Sequence, residues 1–111
     1  MNLNSYIIET LAPLNIPVEA EVYDQDVDSY IVFMEYNQAP RMNADDKEII
    51  TKRFFQVDVF TSYDITDLKD QTRSLMREAG FTRMFESSGG FNADMNKYRW
   101  IFRFNYDNRI S

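Results

Sequence analysis

Cysteine and histidine are both absent from the 111-residue sequence. The absence of cysteine excludes disulfides, thiolate metal sites and cysteine nucleophiles, and the absence of histidine removes the commonest general base and metal ligand. No apolar run is long enough to span a membrane, and the N-terminus has no signal-peptide pattern. These absences remove most catalytic constellations, and we expect a protein without cofactor or metal, soluble and intracellular in origin.

Basic residues are few relative to acidic ones, 12 against 18, for a net charge of −6. This sign opposes binding to phosphate backbones or anionic lipid, so we expect neither a membrane nor a specific nucleic-acid sequence as partner. Residues 1–40 hold seven acids and no base (−7), whereas residues 41–111 hold eleven acids and twelve bases (+1). The first third is thus an acidic block, and its alternation with apolar residues is typical of the solvated side of folded elements.

Apolar and aromatic residues are abundant, with 44% hydrophobic residues that include 9 Phe, 7 Tyr and 1 Trp. This composition supports a hydrophobic core and argues against global disorder. The length favours a single domain that spans residues 1–111.

The periodicity of apolar residues predicts an α+β fold. We expect a single, mostly antiparallel sheet of about five strands with two helices packed on one face, in the order α-β-β-β-α-β-β. The predicted helices span 3–12 and 65–79, and the predicted strands span 18–23, 29–36, 53–61, 82–86 and 97–106. Residues 37–51 lack a sustained apolar period and are predicted to form a long loop. The expected buried residues include Tyr30, Val32, Phe55, Val57, Leu68, Leu75, Trp100 and Phe102.

One acidic motif has the spacing of a calcium-binding loop. Asp24, Asp26 and Asp28, followed by Glu35, match the EF-hand pattern. That loop requires flanking helices, whereas residues 30–34 are strand-like. We interpret the acids as the tip of a β-hairpin that joins the first two strands.

A second motif, Ser87–Gly90, is glycine-rich but lacks the lysine and the strand-to-helix setting of a phosphate-binding loop. We predict a hairpin turn there.

The last predicted strand carries a stripe of aromatic side chains at alternate positions, namely Tyr98, Trp100, Phe102, Phe104 and Tyr106. Arg99 and Arg103 lie on its other face, a combination that also occurs on single-strand nucleic-acid platforms. The negative net charge favours a core role for the stripe, with an exposed protein-binding face as the remaining alternative. If this strand pairs with the third, the arginines face Gln56 and Asp58.

Several segments together point to a family. They are a Leu-Asn-Ile-Pro link at 14–17, YIVFMEY at 30–36, FQVDVF at 55–60, a helix that ends in LMREAGF at 75–81, and YRWIFRF at 98–104. In this order the chain resembles the tail terminator, or tail completion (head–tail joining), proteins of long-tailed bacteriophages and prophages. The resemblance covers nearly the whole chain and rests on element patterns without an invariant signature.

The resemblance implies a structural subunit of the virion with no catalytic residues. Such subunits form a homo-oligomeric ring, usually a hexamer, that closes the end of the tail tube and gives the head connector its docking surface. The implied partners are therefore further copies of the chain, the tail tube protein and connector proteins, and the implied location is the virion, assembled in the host cytoplasm. The alternative is a small adaptor that binds an extended peptide or partner protein at a sheet edge.

A ring requires two different complementary patches on each subunit, because one self-complementary patch stops at a dimer. The uneven charge suggests that acids of the first third meet bases of a neighbouring subunit. The candidate interface residues are Glu19, Glu21, Asp24, Asp26, Asp28, Arg41, Lys47, Lys52, Arg53, Arg99 and Arg103.

Overall fold

The computed structural model describes residues 2–42 and 49–110, without the side chains of 38–42, 49, 109 and 110. Its elements are α1 (Leu3–Leu11), a 3-10 turn (Ala12–Leu14), β1 (Val18–Ala20), β2 (Ser29–Met42), β3 (Ile49–Thr61), α2 (Ile65–Glu78), β4 (Thr82–Asn92) and β5 (Lys97–Ile110). The strands form one sheet in the order β1-β2-β3-β5-β4, in which β1 is parallel to β2 and the other neighbours are antiparallel. The predicted α+β class and element order are confirmed.

Local signals in the sequence fix where both helices begin. The side chain of Asn2 accepts hydrogen bonds from the backbone N–H groups of Asn4 and Ser5, and Asp64 accepts one from Thr66. These caps satisfy backbone donors that lack partners inside the helix. The backbone hydrogen bond from Thr66 also lowers the pKa of Asp64. Gly80, at φ 98°, follows the end of α2 in a conformation that favours glycine. No helix in the described ranges has the length and apolarity needed to cross a membrane.

The core lies between the two helices and one face of the sheet. Alternate residues of the central strands face the helices and are buried: Ile31, Phe33, Phe55, Val57, Val59, Phe102 and Phe104. They pack against Leu3, Ile7 and Leu11 of α1 and against Met76 of α2. Phe102 and Phe104 of the aromatic stripe of β5 are buried in this core, as predicted, and Trp100 and Tyr106 are partly buried against it. Tyr98, at one end of the stripe, is 43% exposed, so the predicted core role is wrong for this residue.

The predicted loop at 37–51 is wrong for the part that the structure describes. β2 continues to Met42 and β3 begins at Ile49, with paired positions from Asn37 and Phe54 outward to Met42 and Ile49. β5 runs alongside to Ile110, so a three-stranded arm extends beyond the helices, and the described residues span 53 × 23 × 22 Å. Backbone pairing holds this arm without a helix to cover it, which explains why the sequence shows no apolar period there.

The connection between β1 and β2 also differs from the predicted hairpin. The two strands are parallel, with Val18 opposite Ile31 and Ala20 opposite Phe33, so residues 21–28 form a crossover. β1 ends at Ala20 because Glu21 has φ 73°, which interrupts the extended backbone.

The predicted turn at Ser87–Gly90 lies inside β4, which continues to Asn92. The turn to β5 is at residues 93–96. The register shifts between Ser88 and Gly90, and Gly90 has φ 80°, so the glycines form a bulge rather than a chain reversal.

Half of the eight expected buried residues are confirmed. Tyr30, Phe55, Val57 and Phe102 are buried, whereas Val32, Leu68, Leu75 and Trp100 are only partly buried.

Met76 and Leu75 provide a test of which side of α2 faces the core. Met76 is fully buried and Leu75 only partly. We expect Met76→Ala to lower the free energy of unfolding by about 2–5 kcal/mol and Leu75→Ala to lower it by less. Urea unfolding of both variants measures this difference, and equal losses would contradict the orientation of α2.

Candidate interface surfaces

The residues on the β1 side of the sheet form an exposed acidic surface. We call residues 18–28 the acidic edge; its acids are Glu19, Glu21, Asp24, Asp26 and Asp28, and all of these are exposed. Glu19 pairs in register with Val32, so it projects from the sheet face opposite the helices. Glu19 and Glu21 lie at the β1 margin of the sheet, whereas the crossover continues along the end of the sheet toward the β4–β5 turn, where Asp24 and Asp26 line a pocket with Asp94 and Lys97.

The crossover is held against the sheet face that the helices leave uncovered. The ring of Tyr23 lies 4.9 Å from that of Tyr30, and Tyr30 stacks on Phe60 at 4.8 Å. Burial raises the pKa of Tyr30, with smaller contributions from Tyr23 and Asp26. This aromatic row explains how Tyr30 is buried although it points away from the core.

Three acids of the acidic edge have partners within the chain, and the first of them, Asp24, accepts a hydrogen bond from the neighbouring Gln25 at 3.3 Å. The hydroxyl of Tyr63 donates to Asp28 at 2.8 Å, which raises the pKa of the tyrosine, and the ammonium of Lys97 donates to Asp26 at 3.4 Å. Among the described side chains, Glu19 and Glu21 have no ion-pair partner. These two glutamates are therefore available to another molecule.

Most of the basic residues predicted to lie at an interface form ion pairs or hydrogen bonds within the chain. Their contacts are Lys52 with Asp107 at 3.3 Å, the Nη2 atom of Arg53 with Glu35 at 2.7 Å, Arg99 with Asp58 at 2.7 Å, and Arg103 with Gln56 at 3.3 Å. The last two are the cross-strand neighbours expected from pairing of β3 with β5. Arg41 lies in β2, but its side chain is not described, and Lys47 lies outside the described residues. Contact of any of these residues with a neighbouring subunit stays a prediction.

The sheet face opposite the helices combines aromatic rings with guanidinium groups. Arg103 lies 5.4 Å from the ring centre of Tyr36 and 5.8 Å from that of Phe85, both of which are exposed by more than a third. Arg99 lies 5.7 Å from Phe60. Cations over ring faces are attracted by the ring quadrupole, so these contacts fix the arginines on the uncovered face.

The calcium-like motif does not gather its carboxylates. Glu35 accepts both of its hydrogen bonds from Arg53 within the sheet, while Asp28 accepts from Tyr63 beyond the end of β3. In residues 2–42 and 49–110, no group of three or more acidic side chains could hold a metal ion.

A basic surface that sequence reasoning missed lies at the opposite margin of the sheet. We call it the arginine groove; it has a volume of about 280 Å³ and is lined by Arg73, Arg77, Phe81, Thr82 and Arg83. Arg73 and Arg77 are one helical turn apart on α2, and Arg83 follows from β4 after the turn at Gly80. The helical spacing was readable from the sequence, but the approach of Arg83 depends on how β4 packs against α2.

Glu86 organises the inner wall of the arginine groove. It accepts hydrogen bonds from Arg73 at 2.5 and 2.8 Å, from Arg83 at 2.7 Å and from the indole of Trp100 at 3.2 Å. The hydrogen bond to Arg73 is the largest cause that lowers the pKa of Glu86 to about 2, and the same pairing raises the pKa of Arg73. One carboxylate thus links α2, β4 and β5.

The outer wall of the arginine groove is open. Arg77 is exposed and has no ion-pair partner among the side chains that the structure describes. The side chain of Arg83 is 54% exposed and shares Glu86 with Arg73. The guanidinium groups of Arg77 and Arg83 therefore face solvent. They lie beside the carboxylate of Glu86, which already accepts hydrogen bonds from Arg73, Arg83 and Trp100.

A scan against protein-family models finds no match, and a search of curated proteins finds no relative. A search of solved structures finds a chain described as "Virion of native gene transfer agent (GTA) particle". The two chains are 10% identical and superpose with a TM-score of 0.60 over 96% of this chain and 92% of that one. The likeness shows a shared fold along almost the entire length of both chains.

Glu86 gives a test through the pH dependence of stability. Because its pKa is lowered from 4.5 to about 2, its contribution is fully present above 4.5 and is lost as pH falls toward 2. We expect Glu86→Gln to lower the free energy of unfolding by about 1–3 kcal/mol at neutral pH and by much less at about pH 2. Urea unfolding across this range, with exposed Glu9→Gln as the control, measures the effect. A constant difference across the range would contradict it.

Gly89 gives a second test, because the stem of Arg99 crosses β4 at this glycine. A Cβ at position 89 would lie 2.8 Å from Cδ and 3.0 Å from Cβ of Arg99. We expect Gly89→Ala to displace Arg99 from Asp58 and to lower the free energy of unfolding by about 1–2 kcal/mol. In an Arg99→Ala background, Gly89→Ala should lower the free energy of unfolding only slightly, because most of the clashing side chain is gone. A double-mutant cycle of the two substitutions measures their coupling. Full additivity would show that no clash occurs.

Proposed function

We propose that this chain is a non-enzymatic structural subunit of a phage-type virion, and that it acts as a tail terminator or head–tail joining subunit. The observation that carries the proposal is the fold shared with a gene transfer agent virion chain over 96% of this chain. Coverage of this extent matches the whole architecture, the arm included, rather than one common substructure. The element order on which the phage resemblance rests agrees with it.

The shape of the subunit suits assembly into a ring. The arm projects from the helix-covered core, so it can reach a neighbouring subunit without unfolding any part of the core. Glu19 and Glu21 of the acidic edge lie at the β1 margin of the sheet and the arginine groove lies at the β4 margin, which are the two ends of the strand order. Two different patches on opposite sides favour head-to-tail contacts, which close into rings.

The proposed partners are further copies of this chain, the tail tube protein and the head connector, within the virion. A closed ring offers two non-equivalent surfaces, one for the tube and one for the connector. An acidic subunit next to a DNA path also repels the passing genome instead of retaining it.

The oligomeric state tests this proposal. We expect native mass spectrometry or mass photometry to detect a closed ring of defined size, either for the chain alone or after addition of tail tube protein. A chain that stays monomeric at all concentrations, with and without tail tube protein, would contradict the ring.

A variant with a shortened arm tests whether the arm contributes to assembly. Gln38 and Arg53 are paired across β2 and β3, so residues 39–52 can be replaced by an Asn-Gly turn between them. The core should stay folded, because its outermost buried residues on these strands, Phe33 and Phe55, are retained. We expect the variant to melt cooperatively and to lose most of its ring. A ring of unchanged abundance would show that the arm has another role.

One observation favours the peptide-binding alternative. β4 is an 11-residue strand at the margin of the sheet, and the side chains of its residues Met84, Phe85 and Phe91 are exposed. Such an edge accepts an added strand through its backbone groups. In that case the protein is a monomer that binds extended peptides, and the same mass measurement separates the two functions.

A further inference from the structure

We propose that the acidic edge of one subunit docks into the arginine groove of a second copy of the chain. The proposal deepens the proposed function, since it names the contact that joins neighbouring subunits of the ring. It rests on charge, on the availability of side chains and on their placement at opposite margins of the sheet.

Charge complementarity indicates that the arginine groove binds the acidic edge of a second copy. Residues 1–40 carry seven acids and no base, so the acidic edge requires cations from elsewhere. The arginine groove holds three arginines, and their partners among the described residues are Asp70 and Glu86. Guanidinium groups bind carboxylates with two parallel hydrogen bonds, so a glutamate side chain matches the open groups of Arg77 and Arg83.

Availability of side chains favours this groove over the other bases. Lys52, Arg53 and Arg99 would each have to leave an acidic partner before they could bind a neighbour. Arg77 has no such partner in the described part of the chain, and Arg83 remains half exposed beside a carboxylate that Arg73 already neutralises. Docking at Arg77 therefore breaks no ion pair of the described side chains, and Arg103, the other described candidate base without an acidic partner, is held by Gln56 and two aromatic rings on the uncovered face.

Apolar side chains accompany the charges on both surfaces. Val22 is 72% exposed next to Glu21, and Met84 is 50% exposed next to Arg83. Burial of such groups contributes most of the affinity at an interface, whereas charges at the rim set orientation and association rate. Each surface thus has both parts that a specific contact requires.

The placement of the two surfaces determines the symmetry. The acidic edge adjoins β1 and the arginine groove adjoins β4, the first and last strands of the sheet. One partner cannot cover both margins of the same subunit, so each copy binds two neighbours. The contact is therefore heterologous, and such contacts form a ring when the rotation between neighbouring copies closes, as the proposed function requires.

Charge-swapped variants test the contact. One variant carries Glu19→Lys and Glu21→Lys, and the other carries Arg77→Glu and Arg83→Glu. Each presents like charges at every junction, and we expect the concentration for half-assembly to rise about tenfold or more. The matched control, Glu9→Lys with Asp67→Lys, changes the charge by the same amount as the first variant at exposed sites away from both surfaces and should assemble as the unmodified chain does.

A mixture of the two variants gives the decisive result. Every junction between unlike variants pairs opposite charges, so an equimolar mixture should restore a ring in which the variants alternate. Mass photometry of each variant alone and of the mixture measures this, and thermal melting confirms that each variant is folded. Restoration supports the contact.

The outcomes separate this inference from the proposed function. If the unmodified chain forms a ring and both variants also form it, the docking contact is wrong while the ring stands. If both variants fail alone and the mixture also fails, the docking contact is wrong as well. If the unmodified chain forms no oligomer under any condition, the ring and the contact both fail.

Discussion

The antiparallel pairing of β3 with β5 is the constraint on which the rest of the structure depends. It runs the length of β3, from Ile49 opposite Ile110 to Thr61 opposite Tyr98. Because side chains alternate between faces, this register assigns Phe55 and Phe104 to the helices and sends Arg99 and Arg103 to the other face. A shift by one residue would exchange the two sets and bury the arginines. The core, the uncovered face and the arm are all set by this one register.

The packing of α2 depends on polar contacts as well as on the core. Glu86 on the edge strand holds Arg73 of α2, and Lys69 of the same helix lies 3.9 Å from the ring centre of Trp100. These contacts hold α2 against the β4 margin of the sheet, where β4 itself contributes no buried apolar residue. The arginine groove lies directly outside these contacts. The hydrogen bonds from Arg73 to Glu86 therefore also position one wall of the surface proposed to bind a neighbour.

Sequence reasoning succeeded where one residue pattern determines one local structure. The apolar period predicts α2 within one residue of its observed start and end, and strict alternation gives the two faces of β5. It failed where the outcome depends on a partner strand. Residues 37–42 have no apolar alternation and extend β2 only because β3 continues beside them and β5 continues beside β3. Glu21 ends β1 through its backbone conformation, which residue type does not reveal. The arginine groove likewise requires α2 and β4 to be packed together.

The arm affects the tendency of the free chain to aggregate. β1 pairs with β2 only as far as Phe33, and β4 begins opposite Asn105, so both margins of the arm have unpaired backbone in the described residues. Such edges recruit strands from other molecules, which is the starting point of aggregation. Pro40 lacks an N–H donor and interrupts one margin, and the net charge of −6 adds mutual repulsion. Solubility of the free chain and the assembly proposed above are thus opposing demands on the same few strand residues.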